Sequence, residues 1–342
     1  MVEDLEPGSA DAGVPAHFGD PMREQRLLET GVGLVDRSNR EVIAVPGAER
    51  AGWLHTLTSQ HLSALTANEA SELLVLSPNG HIEQHAFVTE DGTAAWLDTE
   101  PGAGAGLLKY LEMMRFFTQV EPREATAEIA VLSLVGPDAA ALFPDLAAPR
   151  VSPVPATRFA AGSVPPQPTS LYSVRPFEGG LARRVPLGVD LLVPRSAKAA
   201  VVEKLGVAPA GLWAYEAVRV AHRIPRLGWE TDHRTIPAEI ELMATSVHLE
   251  KGCYRGQETV ARVHNLGRPP RRQVLLHLDG VATDHPPARG TAVELDGRAV
   301  GFVGTAVRHH ELGMVALAVL KRNVPDDARL TVGESAAAID AD

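Results

Sequence analysis

The chain has 342 residues, 45% of them apolar and 22% charged, a balance that excludes a disordered or fibrous protein and allows two or three packed domains. Thirty-two basic residues against 43 acidic ones leave a formal charge of −11, which excludes a surface given over to phosphate backbones. No apolar run approaches the roughly 18 residues of a membrane-spanning helix, so no membrane partner is expected.

The first 16 residues, rich in Asp, Glu, Gly, Pro and Ala without a period, are expected to be a mobile tail. The acidic opening MVEDLEPGSADAG has no secretory pattern, which predicts a cytoplasmic protein. A helical pattern covers 46–65, with Trp53 and Leu57 one turn apart and Leu54, Leu62 and Leu65 on the same side. ELLVLS at 72–77, the turn Pro78-Asn79-Gly80 and residues 81–89 predict a hairpin. Glu90-Asp91-Gly92 then turns into a third strand, TAAWLDT, to complete an antiparallel meander. A helix is expected over 103–117, where Leu107, Leu111 and Met114 share a stripe.

Residues 129–135 read as a strand entering the turn Gly136-Pro137-Asp138 and a short helix, and 170–175 and 189–193 as further strands. The Pro-, Ala- and Ser-rich stretch 144–168 reads as a connecting loop. Trp213, Ala217, Val220 and Ile224 form one apolar helical face. Glu216, Arg219 and Arg223 lie on a neighbouring stripe, which either lines a channel or forms a solvated, salt-bridged face. After residue 272 five strand runs, from RQVLLHLDG to RLTVGE, are separated by Gly, Pro and Asp turns and predict a small antiparallel barrel. Strands do not alternate regularly with helices, so the fold class is α+β.

One cysteine makes no internal disulfide and cannot supply the thiolates of a cluster or a structural zinc. It lies in Lys251-Gly252-Cys253-Tyr254-Arg255-Gly256-Gln257-Glu258, ahead of a short helical pattern that begins near residue 256 or 257 and stops at Gly267. Unpaired N–H groups at that helix start, with Lys251 and Arg255 nearby, favour a thiolate; the other reading is a small buried packing residue. Arg262, His264, Arg268, Arg271 and Arg272 form a locally basic cluster, suited to polyglutamate or RNA phosphate, or else a hydrated loop. His81, His85, His309 and His310 have no spacing that converges three ligands, and the last two, as neighbours, are expected at different angles, so no metal is assigned.

KGCYRGQE resembles the K-G-C-[FY]-x-G-Q-E motif of the YgfZ family, which is similar to the glycine-cleavage T-protein, an aminomethyltransferase. GLVDRS, VLSPNGHI, RIPRLGWETDHRTIPAE and VGFVGTAVRHHELGMVALAVL follow in the same order, so the resemblance covers about residues 17–335. It implies three domains in a ring around a central channel. These are a discontinuous folate-binding domain (17–48 and 129–245), a βα domain (49–128), and a segment (246–342) holding the cysteine motif and the C-terminal antiparallel β-barrel. It also implies tetrahydrofolate or a folate derivative, polyglutamate included, contacted by Gln84, Glu216, Arg219, Arg223, Glu239, Tyr254, Gln257 and Glu258, with Cys253 and Lys251 as the reactive pair and no stably bound metal.

T-proteins carry Gly-Gly-Val-Ile-Asp-Asp on the hairpin, with an aspartate that handles the reactive folate nitrogen. The comparable residues here are Gly80-His81-Ile82-Glu83-Gln84, and the amide of Gln84 cannot exchange a proton as a carboxylate does. Their Arg-Leu-Glu-Ala-Gly corresponds to Arg219-Val220-Ala221-His222-Arg223, with Ala221 in place of a pterin-contacting glutamate. The resemblance therefore implies a folate-binding accessory protein for iron–sulfur cluster assembly or repair in client proteins, rather than an enzyme. The alternatives are a folate-dependent aminomethyltransferase or demethylase whose proton chemistry uses Glu83 or Glu239, and a tRNA-modification module touching tRNA through Arg262, Arg268, Arg271 and Arg272.

Overall fold

Near-continuous apolar runs such as EVIAVP and IAVLSLV are the pattern of strands covered on both faces. The computed structural model describes residues 3–5, 9–150, 170–280 and 285–340. Its elements run β1 (Glu3–Asp4), β2 (Pro15–His17), α1 (Pro21–Thr30), β3 (Gly33–Asp36), β4 (Glu41–Pro46), α2 (Arg50–Leu57), β5 (Glu69–Leu76), β6 (Ile82–Glu90), β7 (Ala94–Thr99) and α3 (Gly104–Met113). They continue with β8 (Arg123–Glu124), β9 (Ile129–Val135), β10 (Tyr172–Phe177), β11 (Gly180–Val185), β12 (Gly188–Pro194), α4 (Lys198–Leu205), β13 (Pro209–Ala210), α5 (Leu212–Ala221), α6 (Met243–Ser246) and α7 (Gln257–Leu266). The last are β14 (Arg271–Leu278), β15 (Ala292–Leu295), β16 (Arg298–His309), β17 (Gly313–Lys321), β18 (Leu330–Val332) and β19 (Ser335–Ile339).

Among the described residues one sheet has the order β13-β3-β9-β12-β11-β10-β5-β6-β7-β4-β8, antiparallel except where β13 joins β3. Its two halves meet at a narrow seam, Tyr172 against Ala70 and Ser173 against Glu69. Strand alternation feeds two cores. Ile43 and Val45 point to α2 and α3, with Trp53, Leu54 and Leu107, while Val42 and Ala44 point the other way, to Val131, Tyr172 and Leu192 of the other half.

The remaining strands form a closed barrel, β14-β17-β16-β15-β18-β19, around Leu276, Val303, Ala318 and Leu320. The outer side of β17 is also apolar, because Val315 and Leu317 pack on Val220 of α5. The expected α+β class and C-terminal barrel are therefore present.

Several local expectations change. Of the helix expected over 46–65 only α2 forms, since Gly47 turns at φ +123° where a Cβ would lie 2.2 Å from the Gln119 carbonyl oxygen. The helix expected over 103–117 stops at Met113, ahead of Phe116 at φ +45°. The expected tail is packed by Asp11, whose carboxylate accepts from Asn39 and Arg226, and by Val14, which is fully buried. Most of the loop expected over 144–168 lies outside the described residues. Trp213, placed on the apolar face of its helix, is 45% exposed; Leu212, Tyr215 and Val218 make the buried contact instead. The helix α1 carries its own start signal, Asp20 accepting from the Arg23 N–H with Pro21 following, which the sequence reading did not use.

The cysteine segment is stitched to the meander half. Ser59 Oγ donates to Ser246 O at 2.5 Å, the His248 N–H to Ser59 O at 3.0 Å, and Gln60 Nε2 to Thr245 O at 2.8 Å. The Lys251 ammonium donates to the carbonyls of His55, Thr58 and Gln60. Gly256 sits at φ +84°, and a Cβ there would lie 2.6 Å from Ser77 O and 2.9 Å from Gly80 Cα of the hairpin turn. Gly256→Ala is expected to cost about 1–3 kcal/mol through strain and this collision, read as a lower urea midpoint at unchanged slope. Lys251→Met, which strands three buried carbonyls, is expected to cost about 2–4 kcal/mol in the same measurement; a change below about 0.5 kcal/mol would show that the ammonium is not an anchor.

Candidate functional site

A cavity of about 90 Å³ lies beside the seam between the half-sheets, within a wider recess of about 890 Å³ that includes open solvent. Phe87, Leu134, Val135, Leu187 and Ile224 give it apolar walls, and Glu72, His85, Tyr172, Arg219, Arg223 and Glu241 line it with polar groups. Apolar walls with a few converging polar groups are the lining of a small-molecule site. Two of its lining residues, Arg223 at φ +56° and Glu241 at φ +65°, hold a backbone conformation that side-chain-bearing residues seldom adopt, a form of strain that clusters at binding sites.

Glu72 on β5 is buried and accepts from four side chains. His85 Nε2 lies 3.0 Å, Thr245 Oγ1 3.0 Å and Ser246 Oγ 2.8 Å from Oε2, and the Tyr172 hydroxyl donates to Oε1. Burial alone pushes this carboxyl up, but the hydrogen bonds from His85, Tyr172 and Ser246 outweigh it and hold it below the usual carboxylate range.

A buried ion-pair network runs along one wall of the cavity. Arg219 Nη2 reaches Glu216 Oε2 at 2.6 Å and Thr305 Oγ1 at 2.7 Å, and Arg226 reaches Glu216 at 3.1 Å and Glu100 and Asp11 at 2.8 Å. Arg40 pairs with Glu100 and, at 2.9 Å, with Asp98; Arg183 spans Asp98 at 2.7 Å and Asp190 at 2.8 Å. The stripe of Glu216 and Arg219 is thus a buried wall and not a solvated face. Arg219 and Arg223 line the cavity, while Glu216 stands one layer behind.

The other expected contacts lie elsewhere. Gln84 packs against α3, where a Cβ on Gly106 would sit 2.8 Å from its Nε2, and its Oε1 is buried without a partner. Glu239 is spent on Arg271 at 2.8 Å and on the Ile236 N–H. Tyr254 is buried among Leu74, Leu76 and Met243, and burial raises its hydroxyl pKa. Gln257 Nε2 donates to Lys251 O at 3.4 Å, and Glu258 is exposed. Burial pulls the Lys251 ammonium down to about 7, while its three carbonyl partners favour the charged form.

Cys253 is exposed, three residues before the Gly256 that starts α7, which excludes the buried packing reading; it does not line the cavity. The basic cluster is divided, since Arg271 pairs with Asp232 at 2.7 Å and with Glu239, and Arg272 with Asp326, leaving Arg262 and Arg268 exposed.

His309 and His310, expected to point apart, are stacked with ring centroids 4.9 Å apart, and both Nε2 atoms meet Glu29 of α1. His309 Nδ1 accepts from the Glu311 and Leu312 N–H groups at 3.2 Å, so Nε2 keeps its proton for Glu29. The trio is a hydrogen-bonded clasp between α1 and the barrel.

Sequence reasoning missed Glu72, Tyr172 and Asp190. The available signal was an ionisable or hydroxyl side chain inside an apolar strand run, as in ELLVL and GVDLLV.

No family model matches the chain. A chloroplastic protein of Arabidopsis thaliana is 23% identical over 308 residues, 85% of this chain and 66% of that protein. The tRNA-modifying protein YgfZ of Aliivibrio fischeri is 31% identical over 129 residues, 36% of this chain and 39% of that protein. The chain thus spans less than two thirds of the length of these two relatives. The aminomethyltransferase of Bacillus subtilis is 22% identical over 311 residues, 90% of this chain and 84% of that enzyme. In structure, the glycine cleavage system aminomethyltransferase T of Bartonella henselae matches with a TM-score of 0.76 at 17% identity, over 100% of this chain and 93% of that one, a likeness of fold. The chain is thus similar in sequence to YgfZ and to aminomethyltransferases, and with its six-stranded barrel it shares the fold of the glycine-cleavage aminomethyltransferase.

Proposed function

We propose that the chain binds a reduced folate in the cavity beside the sheet seam and acts, through the exposed thiol of Cys253, as an accessory to iron–sulfur proteins. The observation that carries the reading is the cavity itself, with its apolar walls and polar groups, in a chain whose relatives include an aminomethyltransferase and YgfZ. Phe87, Leu187 and Ile224 would flank the ring faces and Glu241 would meet the donor edge of a pterin, while Arg219 and Arg223 line the cavity already paired with Glu216 and Asp340. Bound, the folate would supply a one-carbon carrier and a ring nitrogen able to exchange a proton.

Aminomethyl transfer is the weaker reading. Neither carboxylate considered for its proton chemistry lines the cavity: Glu83 is exposed and paired with Arg255 at 2.9 Å, and Glu239 is held by Arg271. A phosphate-binding role is weakened in the same way, because Arg271 and Arg272 already have carboxylate partners. The thiol fits contact with a partner protein better than chemistry inside the cavity, since it is exposed on a turn whose flanks, Lys251 and Gly256, are fixed.

Calorimetry with tetrahydrofolate tests the site. The wild type should bind, and Leu187→Trp, which fills a partly exposed position of the wall, should weaken binding at least about tenfold with an unchanged melting temperature. Absence of binding heat in the wild type rules out the folate reading. Cys253→Ala should melt and bind folate like the wild type yet lower the activity of cluster-dependent enzymes in cells; unaltered activities would remove the thiol from the proposal.

A further inference from the structure

The folate reading leaves one pair in the cavity without a role. Glu72 is a buried carboxylate that accepts from Thr245, Ser246 and Tyr172 on both oxygens, so the ring nitrogen facing it, His85 Nε2 at 3.0 Å, carries the proton. His85 Nδ1 is then left with its lone pair, and among the described residues nothing else hydrogen-bonds the ring; its other neighbour is Phe87, with centroids 5.9 Å apart. Both rings line the cavity. The strand period explains why it is this residue: along β6, Gln84 turns to α3, so residue 85 turns to the cavity.

We infer that His85, oriented by Glu72, is the proton-exchanging group of this site, taking and returning a proton through Nδ1 at an N–H of the bound cyclic amine; the identity of that amine as a reduced pterin rests on the folate reading. In the forward step an N–H bond of the ligand nitrogen in its protonated, ammonium form breaks, the electron pair stays on that nitrogen as the lone pair of a neutral amine, and the proton bonds to Nδ1. The Nε2–H remains donated to Glu72, whose negative charge balances the imidazolium so formed. The reverse step returns the proton. The charged and titratable groups that share the cavity with the ring are Glu72 on β5, Tyr172 on β10, and Arg37, Glu100, Asp190, Tyr215, Arg219, Arg223, Arg226 and Glu241.

The test joins a ligand-free measurement to a ligand-bound one. In the full chain labelled with ¹⁵N-histidine, His85, assigned by its absence in His85→Gln, should be the Nε2–H tautomer at about pH 8 and should gain its second proton on Nδ1 as pH falls. An Nδ1–H tautomer, or a ring that does not titrate, overturns the dyad. Calorimetry of tetrahydrofolate binding in two buffers of different ionisation heat should show proton exchange with buffer for the wild type. His85→Gln, which keeps a donor to Glu72 but cannot take up a proton, should bind within about tenfold and lose that exchange. Exchange unaltered in His85→Gln overturns the inference while the folate reading stands. Tetrahydrofolate that fails to bind the wild type overturns the pterin as the partner of His85, and the tautomer measurement still decides the dyad.

Discussion

The architecture depends on charges that have been taken out of water and must find each other. Arg226 is buried against Asp11 from the N-terminal segment, Glu100 from the end of β7 and Glu216 from α5, and Glu216 passes the connection to Arg219, which reaches Thr305 in the barrel. Each guanidinium would be costly to bury alone, so none of these pieces can withdraw without leaving an uncompensated charge. Burial alone pushes the Glu100 carboxyl up, and Arg226 and Arg40 outweigh it and hold it well below the usual range, as expected of a site that is paired on two sides. The network therefore sets the relative placement of N-terminal segment, sheet, helix and barrel, and with it one wall of the cavity.

Apolar packing supplies what the ion pairs cannot. The sheet is covered on both faces, and its two halves join through only two residue pairs at β10 and β5. A cavity opens beside that seam because Glu72 and Tyr172, from neighbouring strands, turn polar groups toward each other where a continuous hydrocarbon layer would otherwise close. The same carboxylate collects Thr245 and Ser246, and so ties the start of the cysteine segment to the cavity. Eight residues beyond Thr245 the chain surfaces at Cys253. The thiol and the cavity are thus joined by a short, heavily hydrogen-bonded stretch but do not face one another.

This separation bears on the family comparison. The fold is shared with an aminomethyltransferase over the whole chain, yet the residues that the hairpin motif brings into register, Glu83 and Gln84, lie outside the cavity lining. A common fold hosting different site chemistry is the ordinary case, and function has to be argued from the groups that line the pocket.

By itself the sequence determined the meander, the barrel and the short helix after the cysteine. Their signals are local: period-two alternation, turn glycines, and a Gly267 in the left-handed region that ends α7. It also singled out Cys253 as a candidate, and it left Glu216, Arg219 and Arg223 open between a channel wall and a solvated face. Only the tertiary structure decided which polar residues meet. Glu239 and Arg271 are 32 positions apart, Glu72 and Tyr172 100, and Arg226 and Asp11 215, and nothing along the chain announces such pairs. A buried ion pair and an exposed charge have the same one-dimensional appearance, and what separates them is the company brought by residues far away.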